Sequence, residues 1–198
     1  MLISIDKRLA FLAMPKTGTT AMENALGRYC EIRFGRAPRP KHMTQRAFEA
    51  FMLPYLRDIG AGDTETVCVV REPVDWLGSW YRFRSKPGFA RGPKSTRGVS
   101  FAEFIEGYLA KRQPACSKIG TQSGFVAGQS GEPAVTHMFR YDNLAGLVAF
   151  LDARFGRELQ LPKVNVSPPA DMELPPALRT RLETERAADF ALYADHAR

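Results

Sequence analysis

A chain of 198 residues, 44% hydrophobic and 25% charged, has the length and balance of a globular domain with a substantial core, which excludes a disordered or fibrous polypeptide. Its formal charge of +7 points toward an anionic partner such as a nucleotide, polysaccharide, nucleic acid or membrane surface. Cys30, Cys68 and Cys116 are odd in number and scattered, which argues against a disulfide framework or a zinc site, and no apolar stretch reaches the length of a membrane span.

Asp6, Lys7 and Arg8 stand ahead of only a short apolar segment, which is not a secretory signal, so a cytoplasmic, single-domain protein over residues 1–198 is expected. Leu9 to Met14 is a continuous apolar run suited to a strand buried on both faces. It breaks at Pro15-Lys16-Thr17-Gly18-Thr19-Thr20. Ala21, Met22, Ala25, Leu26 and Tyr29 then follow at helical spacing. Strand, tight polar loop and helix is the geometry in which backbone N–H groups point at an anion, with Gly18 allowing close approach and Lys16 adding a full charge. The competing reading is an ordinary turn with a capping box between Thr20 and Glu23.

Residues 33–42 are rich in proline and basic side chains and read as a loop. Thr44 caps a helix through Phe48 and Phe51 that is expected to end near Pro54, and Thr66 to Val70 is a second buried strand, with Cys68 as core. It stops at Arg71-Glu72-Pro73, and a helix carrying Trp76, Leu77, Trp80 and Phe83 follows. Residues 82–97 read as a basic loop. Ser100 and Glu103 form a capping-box pair before the amphipathic run Phe101, Phe104, Ile105, Tyr108 and Leu109. Residues 120–131 are loop or weak helix. Ala134 to Tyr141 is a strand on which His137 reads as a core histidine, and Asp142 caps a helix that stops at Gly156. An extended, proline-bounded loop spans 161–169, and a last helix spans 175–194.

Two buried strands, each leading through a special loop into a helix, predict an α/β domain: a three-layer α/β/α arrangement with a mainly parallel central sheet. Ligands bind at the carboxyl ends of such strands, so loops 15–20 and 71–79 should meet on one edge. A true P-loop would need an earlier glycine and an acid after the second strand to help hold magnesium. Here Lys16 precedes Gly18 and the strand ends in Arg71, so a reaction that requires no metal fits better.

Pro15-Lys16-Thr17-Gly18-Thr19-Thr20 resembles the 5′-phosphosulfate-binding loop of sulfotransferases that use 3′-phosphoadenosine 5′-phosphosulfate (PAPS). Arg71-Glu72-Pro73 with Ser79 resembles that family's 3′-phosphate motif, and Asn165-Val166-Ser167 resembles a loop of its bacterial and Golgi-type carbohydrate branch. The resemblance covers residues 8 to about 168. It implies a P-loop NTPase-like sulfotransferase fold and transfer of a sulfuryl group from PAPS to an acceptor hydroxyl, most naturally of a carbohydrate, including an anionic glycan. The product nucleotide is 3′-phosphoadenosine 5′-phosphate. On that reading Lys16, Thr17, Gly18, Thr19, Thr20, Arg71 and Ser79 bind the donor, and Lys16 also assists departure. Asn165 and Ser167 contact the acceptor. The base is His42, held neutral by Lys41 and Arg39, with Glu72, Glu23 and Asp75 as rivals. The family's second arginine is replaced by Asp75-Trp76, which leaves the 3′-phosphate to fewer charges or to the 82–97 loop. A nucleotide kinase or NTPase with a degenerate loop, and a polyanion binder that uses Trp80, Tyr81, Phe83 and Phe89 among basic residues, are the alternatives. Acceptor identity and oligomeric state are not encoded in these motifs; the variable segments 33–45, 82–97 and 113–131 should build the acceptor pocket.

Overall fold

The computed structural model describes residues 1–35, 37–160 and 171–196. It is an α/β structure around a five-stranded mixed sheet of order β3-β1-β2-β4-β5. The strands are β1 (Leu2–Ser4), β2 (Leu9–Phe11), β3 (Ile32–Arg33), β4 (Glu65–Val70) and β5 (His137–Arg140). β2, β4 and β5 are mutually parallel, while β1 is antiparallel to both β2 and β3. The sheet is therefore mixed: two of its four pairings are antiparallel, yet β1 alone runs against the other four strands. Residues 5–8 allow only a hairpin between β1 and β2, because a parallel return needs a crossover of a dozen residues or more.

The apolar run Leu9–Met14 outlasts its ladder. β2 ends at Phe11, but Leu12 N–H still donates to Val67 O at 2.8 Å, and all six residues are at most 3% exposed. Alternation explains why the run is continuous. Ala10, Leu12 and Met14 pack with Cys68 and Val70 against Phe48, Leu56 and Phe125 on one face; Leu9, Phe11 and Ala13 pack with Val67 and Val69 against Met22, Leu26, Leu147 and Leu151 on the other. Both faces are covered by helices, and full burial of each such side chain contributes about 1.5–3 kcal/mol.

The helices are α1 (Thr19–Leu26), α2 (Pro38–Lys41), α3 (Gln45–Ala47), α4 (Leu53–Asp58), α5 (Pro73–Arg84), α6 (Phe101–Leu109), α7 (Gln122–Val126), α8 (Leu144–Phe155), α9 (Pro176–Glu185) and α10 (Ala187–Ala191). α2 forms inside the expected loop because Pro38 and Pro40 occupy a first turn, where a missing N–H costs nothing. The helix begun at Thr44 does not stop at Pro54. A π turn over Phe48–Met52, in which Leu53 N–H reaches back to Phe48 O, absorbs the proline and α4 runs on to Asp58. The capping box at Ser100 and Glu103 forms, and the predicted face of α6 is buried against α5 and α9 in a third cluster with Trp76, Leu77, Leu178 and Leu182.

Other boundaries move. α5 takes in residues 82–84 of the expected basic loop. Asn143, not Asp142, precedes α8, and the Asp142 carboxylate instead accepts the Tyr193 hydroxyl at 2.7 Å. α8 ends as expected at Gly156, left-handed with φ 65°. The last helix breaks at Arg186, whose φ of −125° separates α9 from α10. His137 is only half-buried, 3.1 Å from Glu65 Oε2 and with its ring 4.6 Å from that of Phe150. It stands at the first residue of β5, the sheet edge opposite loop 15–20. Among the described residues no helix is long and apolar enough to cross a membrane.

Candidate functional site

Because β2 and β4 are parallel, the segments that follow them leave the sheet at one edge and meet there. Arg71 Nη1 donates to Lys16 O at 3.1 Å, and Trp76 Nε1 donates to Pro15 O at 2.8 Å, so the start of α5 holds the entrance of the 15–20 loop. Thr17 is buried, its hydroxyl donating to Met14 O at 2.9 Å. Lys16 and Gly18 are both left-handed, with φ 69° and 77°. For Lys16 that conformation costs about 1–3 kcal/mol, which the surrounding contacts must offset. At Gly18 a Cβ would also lie 3.4 Å from Tyr141 Cε2.

Gly18, not Thr20, precedes α1, and no side chain caps it; Ala21 and Met22 N–H both turn back to Gly18 O. The capping box between Thr20 and Glu23 therefore does not form. Glu23 instead pairs with Lys41 Nζ at 2.8 Å. Among the described residues, the backbone N–H groups of Lys16, Thr17, Gly18, Thr19 and Thr20 find no acceptor within the protein. Five adjacent donors at a helix N-terminus, turned by two left-handed residues, make an anion cradle.

Around that cradle the side chains are cationic. Lys16 Nζ lies 3.9 Å from the centroid of the Phe83 ring and 5.9 Å from that of Trp80. Burial, followed by the charges of Lys86, Arg71 and Arg82, lowers its pKa to about 8. Arg71 does not present an open fork. Its Nε and Nη2 donate to the two oxygens of Asp75 at 2.5 and 2.9 Å, and its guanidinium lies 4.3 Å from the Tyr141 ring centroid. The acid four residues on explains the difference: it is the nearest carboxylate, and it holds the arginine flat. Ser79 is buried on α5 and has no hydrogen bond to Arg71. The two therefore share the element without forming the joint contact their spacing suggested.

His42 stands on the other flank of β2. Its Nδ1 is 2.6 Å from Ala13 O. A carbonyl only accepts, so Nδ1 carries the proton and Nε2 carries the lone pair of the neutral ring. Burial is the main force lowering its pKa, with Lys41 adding to it and the Ala13 bond opposing it; Arg39 is not among the charges that act. The ring lines a cavity of about 410 Å³ with Met14, Pro15, Trp76, Ile119 and Phe125. A wider groove of about 640 Å³ adjoins it through the shared residues Thr44, Thr121 and Gly124. Segments 33–45 and 113–131 contribute to these walls, and 82–97 does not. The three rival carboxylates are all engaged: Glu23 with Lys41, Asp75 with Arg71, and Glu72 accepting Asp75 N–H at 2.7 Å to cap α5.

Two supports were invisible in the sequence. Gln122 exchanges two hydrogen bonds with the backbone of Arg71, Arg71 N–H to Oε1 at 2.9 Å and Nε2 to Arg71 O at 2.7 Å. Arg84, expected in the basic 82–97 loop, is buried and donates to the carbonyls of Ala115, Cys116 and Lys118. No signal at 122 or 84 announced these contacts, which link residues about thirty to fifty apart. Asn165 and Ser167 lie outside the described residues. Among the described residues there is no group of three or more His, Cys, Asp and Glu side chains suited to a metal. No family profile, curated protein or solved structure matches the chain.

Proposed function

We propose that the chain is a PAPS-dependent sulfotransferase acting on an acceptor hydroxyl, within one P-loop NTPase-like domain. One juxtaposition carries the reading: an anion cradle with a partly buried lysine, and a histidine of base-competent tautomer, hang from the same extension of β2. The donor's anionic end fits the unpaired N–H groups of residues 16–20 and the cationic side chains beside them. The bound donor supplies the sulfuryl group, whose sulfur bonds to the acceptor oxygen as its bond to the bridging phosphate oxygen breaks, leaving 3′-phosphoadenosine 5′-phosphate.

Lys16 and the cradle stabilise the negative charge that gathers on the departing phosphate, an effect strengthened by partial burial. His42 takes the hydroxyl proton at Nε2 while its Nδ1–H stays on Ala13 O, which fixes the ring. The cavity beside His42 gives the acceptor an apolar wall that includes Pro15 and Ile119, and the adjoining groove offers Arg46 and Ser123 to further hydroxyls, which suits a carbohydrate.

Two measurements test this. Saturating 3′-phosphoadenosine 5′-phosphate should raise the melting temperature by about 5–10 °C, the shift expected at a hundredfold excess over Kd. Radiolabelled PAPS should pass its sulfate to a member of a glycan and alcohol panel. No thermal shift with the bisphosphate, together with a magnesium-dependent shift by ATP, would replace this reading with the kinase one.

A further inference from the structure

The cradle and the histidine are seated on opposite faces of the sheet. α1, whose N-terminus forms the cradle, packs Met22 and Leu26 into the cluster of Leu9, Phe11 and Ala13. Met43, the residue after His42, packs against the cluster of Ala10, Leu12 and Met14. Apolar packing therefore seats each half on its own side and does not set one against the other. His42 donates its own N–H to Pro38 O at 2.9 Å, and its ring Nδ1 lies 2.6 Å from Ala13 O. A single bond to a carbonyl tolerates a broad range of directions, so it holds one point of the ring and leaves its tilt open.

The remaining link is polar. Lys41, the residue before His42, donates from Nζ to Glu23 Oε2 of α1 at 2.9 Å and stands 2.8 Å from Oε1. Glu23 lies about one helical turn beyond Thr19, the first residue of α1. Among the described residues no other hydrogen bond or ion pair joins α1 to residues 38–44. The two side chains are only 17% and 20% exposed, and Glu23 Oε1 is buried with no other partner among the described residues. Charges withdrawn from water in this way depend on each other, so the pair resists opening, whereas an exposed pair in the same place would restrain little.

We propose that Glu23 and Lys41 are positioning residues, an ion-paired strut that sets His42 at a fixed place relative to the 16–20 cradle. This rests on the donor and base reading above. Neither residue touches the reacting atoms, and both act through the histidine. Glu23, one of the rival carboxylates for the base, holds the base in place instead.

The test measures kcat for sulfate transfer from radiolabelled PAPS by the full chain, beside calorimetric Kd for 3′-phosphoadenosine 5′-phosphate. Glu23→Gln or Lys41→Met should lower kcat by about 10- to 100-fold, as misplacement of a reacting group does, and change Kd by less than about threefold. Each single variant also strands a partly buried charge and so loses stability. The neutral double variant Glu23→Gln/Lys41→Met strands none; it should melt close to the native protein and still show the low kcat. Glu23→Lys/Lys41→Glu rebuilds the strut with its charges exchanged and should recover kcat to within about fivefold of native. In a His42→Gln background the neutral double substitution should change kcat by less than about threefold, because the strut works only through that ring. Native kcat in the neutral double variant, no recovery on charge exchange, or the full loss repeated without His42 overturns the strut. None of these touches the donor reading, which the thermal shift by the bisphosphate judges separately. No sulfate transfer by the native protein overturns both.

Discussion

Lys16 carries the largest burden of any single side chain in the site. It occupies a left-handed backbone position, and its ammonium lies among other cations with its pKa lowered to about 8, against an ordinary 10.5. Between those values the unfolded chain binds the proton that the folded chain has released, so the stability of the ligand-free protein should rise with pH over that window. A bound anion reverses the shift. Binding of 3′-phosphoadenosine 5′-phosphate at pH 8.5 should therefore take up protons, visible as a dependence of the binding enthalpy on the buffer's ionisation enthalpy. Lys16→Ala should remove that uptake and lower kcat by about 10²–10³-fold. His42 titrates below its ordinary 6.5, which places the acid limb of the rate profile under that value; stability rises with pH in the same region and is lost as pH drops, because the unfolded chain gains the proton first. His42→Gln should abolish the limb and reduce kcat by about 10²–10⁴-fold with donor affinity unchanged. Lysine, glycine and arginine at strand ends were legible in the sequence because few other roles suit those residue types there. The place of Arg82 was not, because a residue read as part of a basic loop carries no sign that it ends a helix and acts on Lys16.

Elements with their own local logic were read well. α6 is set by a capping pair and an apolar face that need no knowledge of the rest of the chain. Ser100→Ala should lower stability by about 1 kcal/mol in urea denaturation and leave nucleotide binding untouched, since the Ser100 hydroxyl bonds only Glu103. β1 and β3, of three and two residues, were missed because strands so short exist only through their partners. The length of the Thr44 helix was missed for a different reason: a proline ends a regular helix, but a π turn can absorb it, and nothing in Phe48–Met52 signals one. Both antiparallel pairings involve β1, so that one unread strand is what makes the sheet mixed.

Across the whole molecule, the C-terminal helices reach the site through a chain of polar contacts. Asp189 of α10, 3% exposed, accepts the N–H groups of Gln122 and Ser123 at 3.3 and 2.8 Å and so fixes the first turn of α7. Gln122 then holds Arg71. Asp189→Ala should cost about 1–3 kcal/mol by leaving a buried and a part-buried donor unpaired, and it should also weaken binding of 3′-phosphoadenosine 5′-phosphate. Ser100→Ala provides the control for simple loss of stability. Convergence of the two loops on one sheet edge could be anticipated from strand order. This bracing from residue 189 could not, because hydrogen bonds across such separations leave no local pattern. Gln122 imposes a final condition. Its carboxamide imitates a neighbouring strand, giving and receiving one hydrogen bond with a single residue. Glutamate would set a negative oxygen against the Arg71 carbonyl, methionine would satisfy neither group, and asparagine is one carbon too short. A saturation scan should therefore find position 122 among the least replaceable in the chain, although its side chain bonds only the backbone of Arg71.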